Sequence, residues 1–435
     1  MSPDAQTPSK AARIATMACL ILAGEVVFSL PFHVTRYFRP TALDVFGFSN
    51  AQLGDVFAVY GVAAMLAYFP GGPIADRFSP RRLMAVSLVA TGLGGIYMAS
   101  IPSARGMSVL YAYWGVTTIL LFWAAMIRAT REWGGVSQQG RAFGILDGGR
   151  GAVAAGIAIP AVLLFGFFFS GASHGESQMG SGADQQAALQ SVIYFYSALT
   201  ISVGVLCWFA IPDSTPERGS SRPNPLKGMS QVLRMPRVWT IALIVICAYC
   251  GYKALDNYSL YAVQVLGMDP VEAARFTAQC AWIRPPAAIA AGFLADRIRA
   301  RNAIGGLFAV LALSFGLLWQ ASPTPDVLAL LYANIFLSFF GVFALRGVYF
   351  ATLEESQVPR ARTGAAVGLI SVVGYTPDIF YAPIAGRLLD RSPGILGHQH
   401  NFLLLAGIAF AGLLMVWVLR QLRPPGHPPQ EHAED

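Results

Sequence analysis

Charge is scarce in this chain. Asp, Glu, Lys and Arg make up 12% of 435 residues, 55% are hydrophobic, and the mean hydropathy is +0.53. That much apolar surface exceeds what a water-soluble domain can bury, which excludes a soluble enzyme or binding module and implies a bilayer. Cysteine is equally sparse. Cys19, Cys207, Cys247, Cys250 and Cys280 all stand in apolar runs and read as small core residues, not as disulfides or metal ligands. The pair Cys247 and Cys250 lacks the second C-x-x-C that a structural zinc site requires. Neither H-E-x-x-H nor G-x-x-x-x-G-K-[ST] occurs, and the close pair His398 and His400 falls in a predicted short loop. The sequence therefore offers no zinc or ATP chemistry, no enzyme and no cofactor.

What the chain has in abundance is long apolar runs. Twelve are predicted as membrane helices, at about 14–35, 51–69, 83–101, 108–128, 142–169, 189–210, 238–264, 271–291, 303–320, 327–349, 364–386 and 401–420. The first is too long for a signal peptide and carries Glu25, so it reads as a retained helix. Placing both termini in the cytoplasm puts nineteen of the thirty Lys and Arg residues inside and only Arg36, Arg39, Arg105, Arg275 and Arg391 outside, as the positive-inside rule demands. The net charge of +7 then needs no nucleic-acid partner. Residues 211–236, rich in Pro, Ser and Arg, read as a cytoplasmic linker between a six-helix half over 1–210 and a second over 237–435 that ends in a disordered tail. The Gly/Ser-rich stretch 170–186 reads as an extracytoplasmic loop.

A charged cluster, GGPIADRFSPRR at 71–82, separates two of these runs and returns in weaker form as AGFLADRIRARN at 291–302. Gly72, Asp76, Arg77 and Arg81 map onto Gly292, Asp296, Arg297 and Arg301 at a constant offset of 220, and Gly144 maps onto Gly364 at the same offset. The chain is a duplicated unit. The pattern G-x-x-x-D-R followed by basic residues, with Arg82 next to Arg81, resembles the signature loop between the second and third helices of the major facilitator superfamily. Ser79 and Arg299 stand where that loop has glycine. The resemblance implies an all-α membrane fold of twelve helices in two pseudo-symmetric halves, and transport by alternating access. It also implies a conformational latch at Gly72, Asp76, Arg77, Arg81, Asp296 and Arg297. Arg128 and Arg346, which precede the two equivalent loops, are added to the latch, as is the couple Asp147 and Arg150. The glycine-rich antiport signature of the family's fifth helix is not matched by GGRGAVAAGIAIP at 148–160, which counts against a drug exporter.

Charges inside the spans carry the functional reading. At about 3 kcal/mol for each charged group facing lipid, the seven deepest, Glu25, Asp147, Arg150, Lys253, Asp256, Arg284 and Asp378, would together cost on the order of 20 kcal/mol. They must line a cavity or pair. Glu25, Ser29, His33 and Arg36 share one face of the first helix, and Tyr249, Lys253 and Asp256 share one face of the seventh. The offset of 220 maps His33 onto Lys253 and Arg36 onto Asp256, so two polar stripes face a central path between the halves. The couples Asp147–Arg150 and Lys253–Asp256 can equally be neutralised structural pairs.

Arg284 has no acid within four positions, precedes Pro285 and Pro286 midway through the eighth helix, and is expected to meet Asp378 or a ligand. Its planar fork suits a carboxylate or phosphate. The expected solute contacts are Arg284, Lys253, Tyr249, His33, Arg36 and Tyr375. Glu25 is the first choice as proton carrier, followed by Asp256 and Asp378. The expected protein is a monomeric inner-membrane secondary transporter of a small polar anion, an organic acid or an acidic or phosphorylated sugar, linked to protons. The alternatives are a carrier or exporter of neutral or cationic compounds and, in another class, a non-transporting membrane sensor or membrane enzyme.

Overall fold

The computed structural model describes residues 9–135, 138–170, 182–213, 229–352 and 363–422. Twelve helical spans cross the molecule: α1 Lys10–Tyr37, α2 Asn50–Arg77, α3 Pro80–Ala99, α4 Ala104–Gly134, α5 Gln139–Ser170, α6 Gly182–Ala210, α7 Pro236–Gln264, α8 Pro270–Ala281 with Arg284–Ile298, α9 Ala300–Gln320, α10 Leu328–Val348, α11 Thr363–Gly374 with Pro377–Arg391, and α12 Ile395–Gln421. Among the described residues all regular structure is helical, as expected. His398 and His400 stand in α12 and not in a loop, because the apolar periodicity of that helix extends back to Ile395; His398 is buried, with Nε2 3.0 Å from Gln264 Oε1. Residues 214–228 of the predicted linker, together with Arg360 and Arg362, lie outside the described residues.

Local sequence sets where helices begin. Ser49 and Gln52 form a reciprocal capping box at the start of α2, and Asp269 with Glu272 does the same for α8, where Pro270 opens the helix. Five helices are irregular along their length, α4 through i→i+5 bonding over Val116–Trp123. α1 widens to i→i+5 bonding over Ser29–His33 around Pro31, α7 tightens at Leu255–Asn257, α8 breaks before Arg284, and α11 breaks before Pro377. Proline cannot donate the bond that would continue three of these. The duplicated loop departs from glycine with a consequence. Arg299 takes φ 72°, while Ser79 keeps an ordinary φ of −61°, so only the second copy needs the conformation that glycine adopts freely.

Most buried apolar residues between Val232 and Leu419 form one core, and those of the first six helices form two more, one of which also takes in Leu260, Ala274, Ala278, Ala281 and Leu389 from the second half. Cys19 and Cys207, both buried, touch across α1 and α6 with Sγ atoms 3.4 Å apart, as packed thiols. The first six helices meet the last six chiefly at one end. Ser259 Oγ of α7 donates to the Arg36 carbonyl of α1 at 2.7 Å. Along α2 and α11 the backbones themselves touch. A Cβ on Gly54 would strike the Ala382 carbonyl, and one on Gly386 the Asn50 carbonyl. Asp390 accepts from the amides of Asn50 at 3.0 Å and Ala51 at 2.7 Å, satisfying two orphan donors of α2 from the other half of the chain. At the opposite end, the Thr363–Gly374 segment of α11 packs on α7.

Candidate functional site

The irregular stretches of α1 and α4 and the break in α11 border a central cavity of about 90 Å³, with α7 facing it just before its own interruption. Its wall carries Glu25, His33 and Arg36 from α1, Arg150 from α5, Tyr249, Tyr252 and Lys253 from α7, Arg346 from α10, and Tyr375 and Asp378 from α11. Phe28, Phe32, Tyr60, Tyr68 and Trp123 complete it with aromatic faces. At about 30 Å³ for each water of the liquid, the space corresponds to roughly three waters.

The charges form two linked clusters. In the first, Glu25 Oε1 accepts from Arg284 Nη1 at 3.3 Å and lies 3.5 Å from His33 Nε2, while Glu25 Oε2 lies 3.3 Å from Arg150 Nε. Asp147, whose side chain is 49% exposed, stands 3.6 Å from Arg284 and 4.0 Å from Arg150. In the second, Arg36 Nε donates to Asp256 at 2.6 Å. Lys253 Nζ lies 3.4 Å from Asp256 and 3.3 Å from Asp378, and Tyr249 donates to Asp378 at 3.1 Å. The duplication is thus visible in chemistry: Arg36 and Asp256, equivalent positions in the two repeats, are bonded to each other across the axis. The Lys253 ammonium also sits 4.3 Å above the Phe32 ring.

Several expectations change. Arg284 meets Glu25, not Asp378, because the break in α8 turns the arginine toward α1 and α5, and Asp378 is already held by Lys253 and Tyr249. Arg284 is set behind Glu25 and does not border the central cavity. Arg150 and Arg346, expected in the latch, border the cavity, because their side chains reach toward α1 and α7 and not along their own helices to the loops. Arg346 stacks 3.9 Å from the Tyr252 ring centroid, makes no ion pair among the described residues, and has a buried Nη1 with no hydrogen-bond partner. Arg128 lies against the end of α2. Its Nη1 donates to the Ala75 carbonyl at 2.7 Å and its Nε to Glu132 at 2.7 Å.

Gly72, Asp76 and Arg77 stand exposed at the end of α2, and Asp296 and Arg297 hold the same position on α8. Arg81 lies 5.0 Å over the Trp208 ring. Tyr252 and the aromatic walls went unnoticed in the sequence, although Tyr252 neighbours Lys253 and maps onto Phe32 at the same offset of 220. The buried Arg39, donating to Asn50 at 3.1 Å, was also missed; a basic residue beyond the apolar run looked like loop. One G-x-S-x-G, Gly171 to Gly175, lies outside the described residues.

Comparison with known proteins agrees with this architecture. The chain is 28% identical over 415 residues to the inner membrane protein YqcE of Escherichia coli, covering 92% of this chain and 93% of that one. It is 27% identical over 371 residues to a probable nitrate/nitrite antiporter, NarK1, of Thermus thermophilus, covering 84% and 78%. Among solved structures, a bacterial homologue of the human lysosomal transporter Spinster, in an inward-facing and unoccupied conformation, superposes with a TM-score of 0.73 at 15% identity, over 95% of this chain and 98% of that one. Residues 21–382 match the family model described as Major Facilitator Superfamily, and with twelve helices around a charged central cavity the chain belongs to that superfamily of secondary transporters.

Proposed function

We propose that this transporter carries a small organic anion across an inner membrane, with proton movement linked through Glu25. The carrying observation is Arg346: a guanidinium in the cavity wall, braced by Tyr252, with a buried Nη1 that no group of the described residues accepts. An arginine cannot shed its charge to escape burial, so an anion from solution is the partner that completes it. Arg150, His33, Arg36 and Lys253 border the same space and raise its potential further. The similarity to a protein named as a nitrate/nitrite antiporter supports an anion, and the one to a protein named as an inner membrane protein supports the location. The basic residues at the predicted inner loops put both termini in the cytoplasm, which makes the end closed by Asp390 the outer one and this state inward-facing.

Coupling follows from competition. Glu25 is held by Arg284, Arg150 and His33. An anion that draws Arg150 away removes part of the charge that keeps Glu25 ionised, so a proton joins it, and by linkage a proton on Glu25 favours the anion. Arg284 acts here from behind Glu25, and Asp147 offers it an alternative partner.

Arg346→Ala should weaken binding of anionic ligands by about a hundredfold, on the order of 3 kcal/mol for truncating one partner of a buried charged contact. Arg346→Lys should retain only part of the lost affinity. Glu25→Gln should abolish accumulation driven by a pH gradient while sparing exchange of solute between equal pools. Thermal-shift binding over a panel of anionic, neutral and cationic solutes, followed by uptake into proteoliposomes, checks both. Folded Arg346→Ala protein that binds the same anions unchanged would refute the assignment, and selective stabilisation by cations would favour the neutral or cationic alternative.

A further inference from the structure

The anion reading leaves an unresolved conflict inside the cavity. Its wall also contains Asp378, a carboxylate that lines the space and is an acceptor only. Lys253 at 3.3 Å and Tyr249 at 3.1 Å and 3.3 Å are its polar contacts among the described residues, which leaves acceptor capacity on a group offering about four lone-pair sites. An anion built only of acceptors would enter this space at a cost, with lone pairs set against lone pairs. The cost disappears if the solute brings its own donors.

Size limits the solute to a short one. The space of about 90 Å³ is smaller than the roughly 150 Å³ that encloses a benzene-sized guest, which leaves room for a chain of only a few carbons. The rest of the wall suits the carbon skeleton of such a solute, because Phe28, Phe32, Tyr68 and Trp123 present aromatic faces while Tyr249 and Tyr375 add hydroxyl groups. Tyr375 OH lies 3.4 Å from Tyr349 OH and its ring 4.9 Å from that of Tyr249, so the hydroxyl-rich part of the wall is packed against Asp378 and not isolated from it.

We infer that the solute is a short hydroxylated organic anion, of the size of a hydroxy acid with three or four carbons, and that Asp378 determines specificity by accepting its hydroxyl protons while the anionic group meets Arg346. This rests on the anion reading above. A hydrogen bond to a charged acceptor in a desolvated site discriminates strongly against an analogue that lacks the donor. The wild-type protein should therefore bind glycerate at least tenfold more tightly than propionate, which has the same carbon chain without hydroxyls. Asp378→Asn removes the charge and adds an amide donor, and should bring the glycerate-to-propionate ratio close to one, chiefly by improving propionate.

Calorimetric titration of the purified full chain with glycerate, propionate and glycerol reads these ratios directly. A wild-type ratio near one overturns the inference, and needs no variant that could misfold. In that case a loss of both anions in Arg346→Ala would leave the anion reading standing. A preserved ratio in folded Asp378→Asn likewise overturns the role of Asp378, since a merely structural carboxylate would lower both affinities together. Tyr249→Phe, which frees an acceptor position on Asp378 without altering charge, should keep or increase the preference for glycerate; a ratio that falls to one would assign the discrimination to the tyrosine. Binding of glycerol with neither acid would refute the anion reading itself.

Discussion

The two ends of the α2–α11 pair are built from similar parts, an aspartate in the last turn of each helix. At one end, Asp390 on the last turn of α11 accepts from the first two amides of α2, Arg39 donates to Asn50, and Gly54 and Gly386 let the backbones touch. At the other end, Asp76 stands exposed on the last turn of α2, and the first segment of α11 packs on α7. Each helix thus carries an aspartate in its last turn. A carboxylate at a helix N-terminus gains from both unpaired amides and the dipole. Asp390 makes that contact with α2, and this teaches that the closed end is held by a helix cap between the halves and not by uniform packing alone.

The largest break in this comparison should come from Gly386→Val. Its side chain has no space beside the Asn50 carbonyl, and the obstacle is backbone, which cannot rotate away. The closed end should open, transport should fall by roughly an order of magnitude or more, and the protein should still insert, because the glycine serves the junction between halves and not the core of either. Spin-label distances between the α2 start and the α11 end measure this directly; an unchanged distance distribution would mean that the close approach is not what holds the end shut.

A smaller change is expected for Asp390→Asn, which keeps the shape and loses the charge on the cap. One of the two amide bonds and the electrostatic complement of the helix end are lost, so the population should shift by about three- to tenfold toward the state open at this end, a modest figure because the carboxylate is exposed and screened. The same distance measurement, repeated at low and high salt, tests it. A shift independent of salt would assign the effect to packing.

How much of this was legible beforehand differs by residue. The repeat offset alone placed Arg36 opposite Asp256, and the structure bonds that pair; a duplicated chain carries its own contact information in the register. The twelve helices followed from apolar runs, which bilayer thickness makes long and hard to miss. The partner of Arg284 was not legible. Glu25 lies 259 positions away, and nothing local tells which of several buried acids the break in α8 will face. Arg346 was misplaced for the opposite reason. Sequence position ties it to the loop that follows, whereas its side chain reaches from α10 onto Tyr252 of α7. The Asp390 cap was hidden because two ordinary polar ends become a junction only when helices from different halves meet.

The smallest effect should come from the pair that looks strongest on inspection. Arg387 makes two charged contacts with Asp55, at 2.9 Å and 3.1 Å, bridging α11 and α2 at the closed end. Both side chains are about half exposed, so water and salt compete with the pair, and ordering two flexible side chains offsets most of the attraction. Arg387→Ala or Asp55→Ala should therefore alter the open and closed populations no more than a few-fold at low ionic strength and not measurably at high salt. The double variant should match either single one, as expected if the pair acts only through its own contact. A shift as large as that of Asp390→Asn, and persistent in salt, would move the latch from the capped helix end to the ion pair and reverse the order of importance drawn from burial.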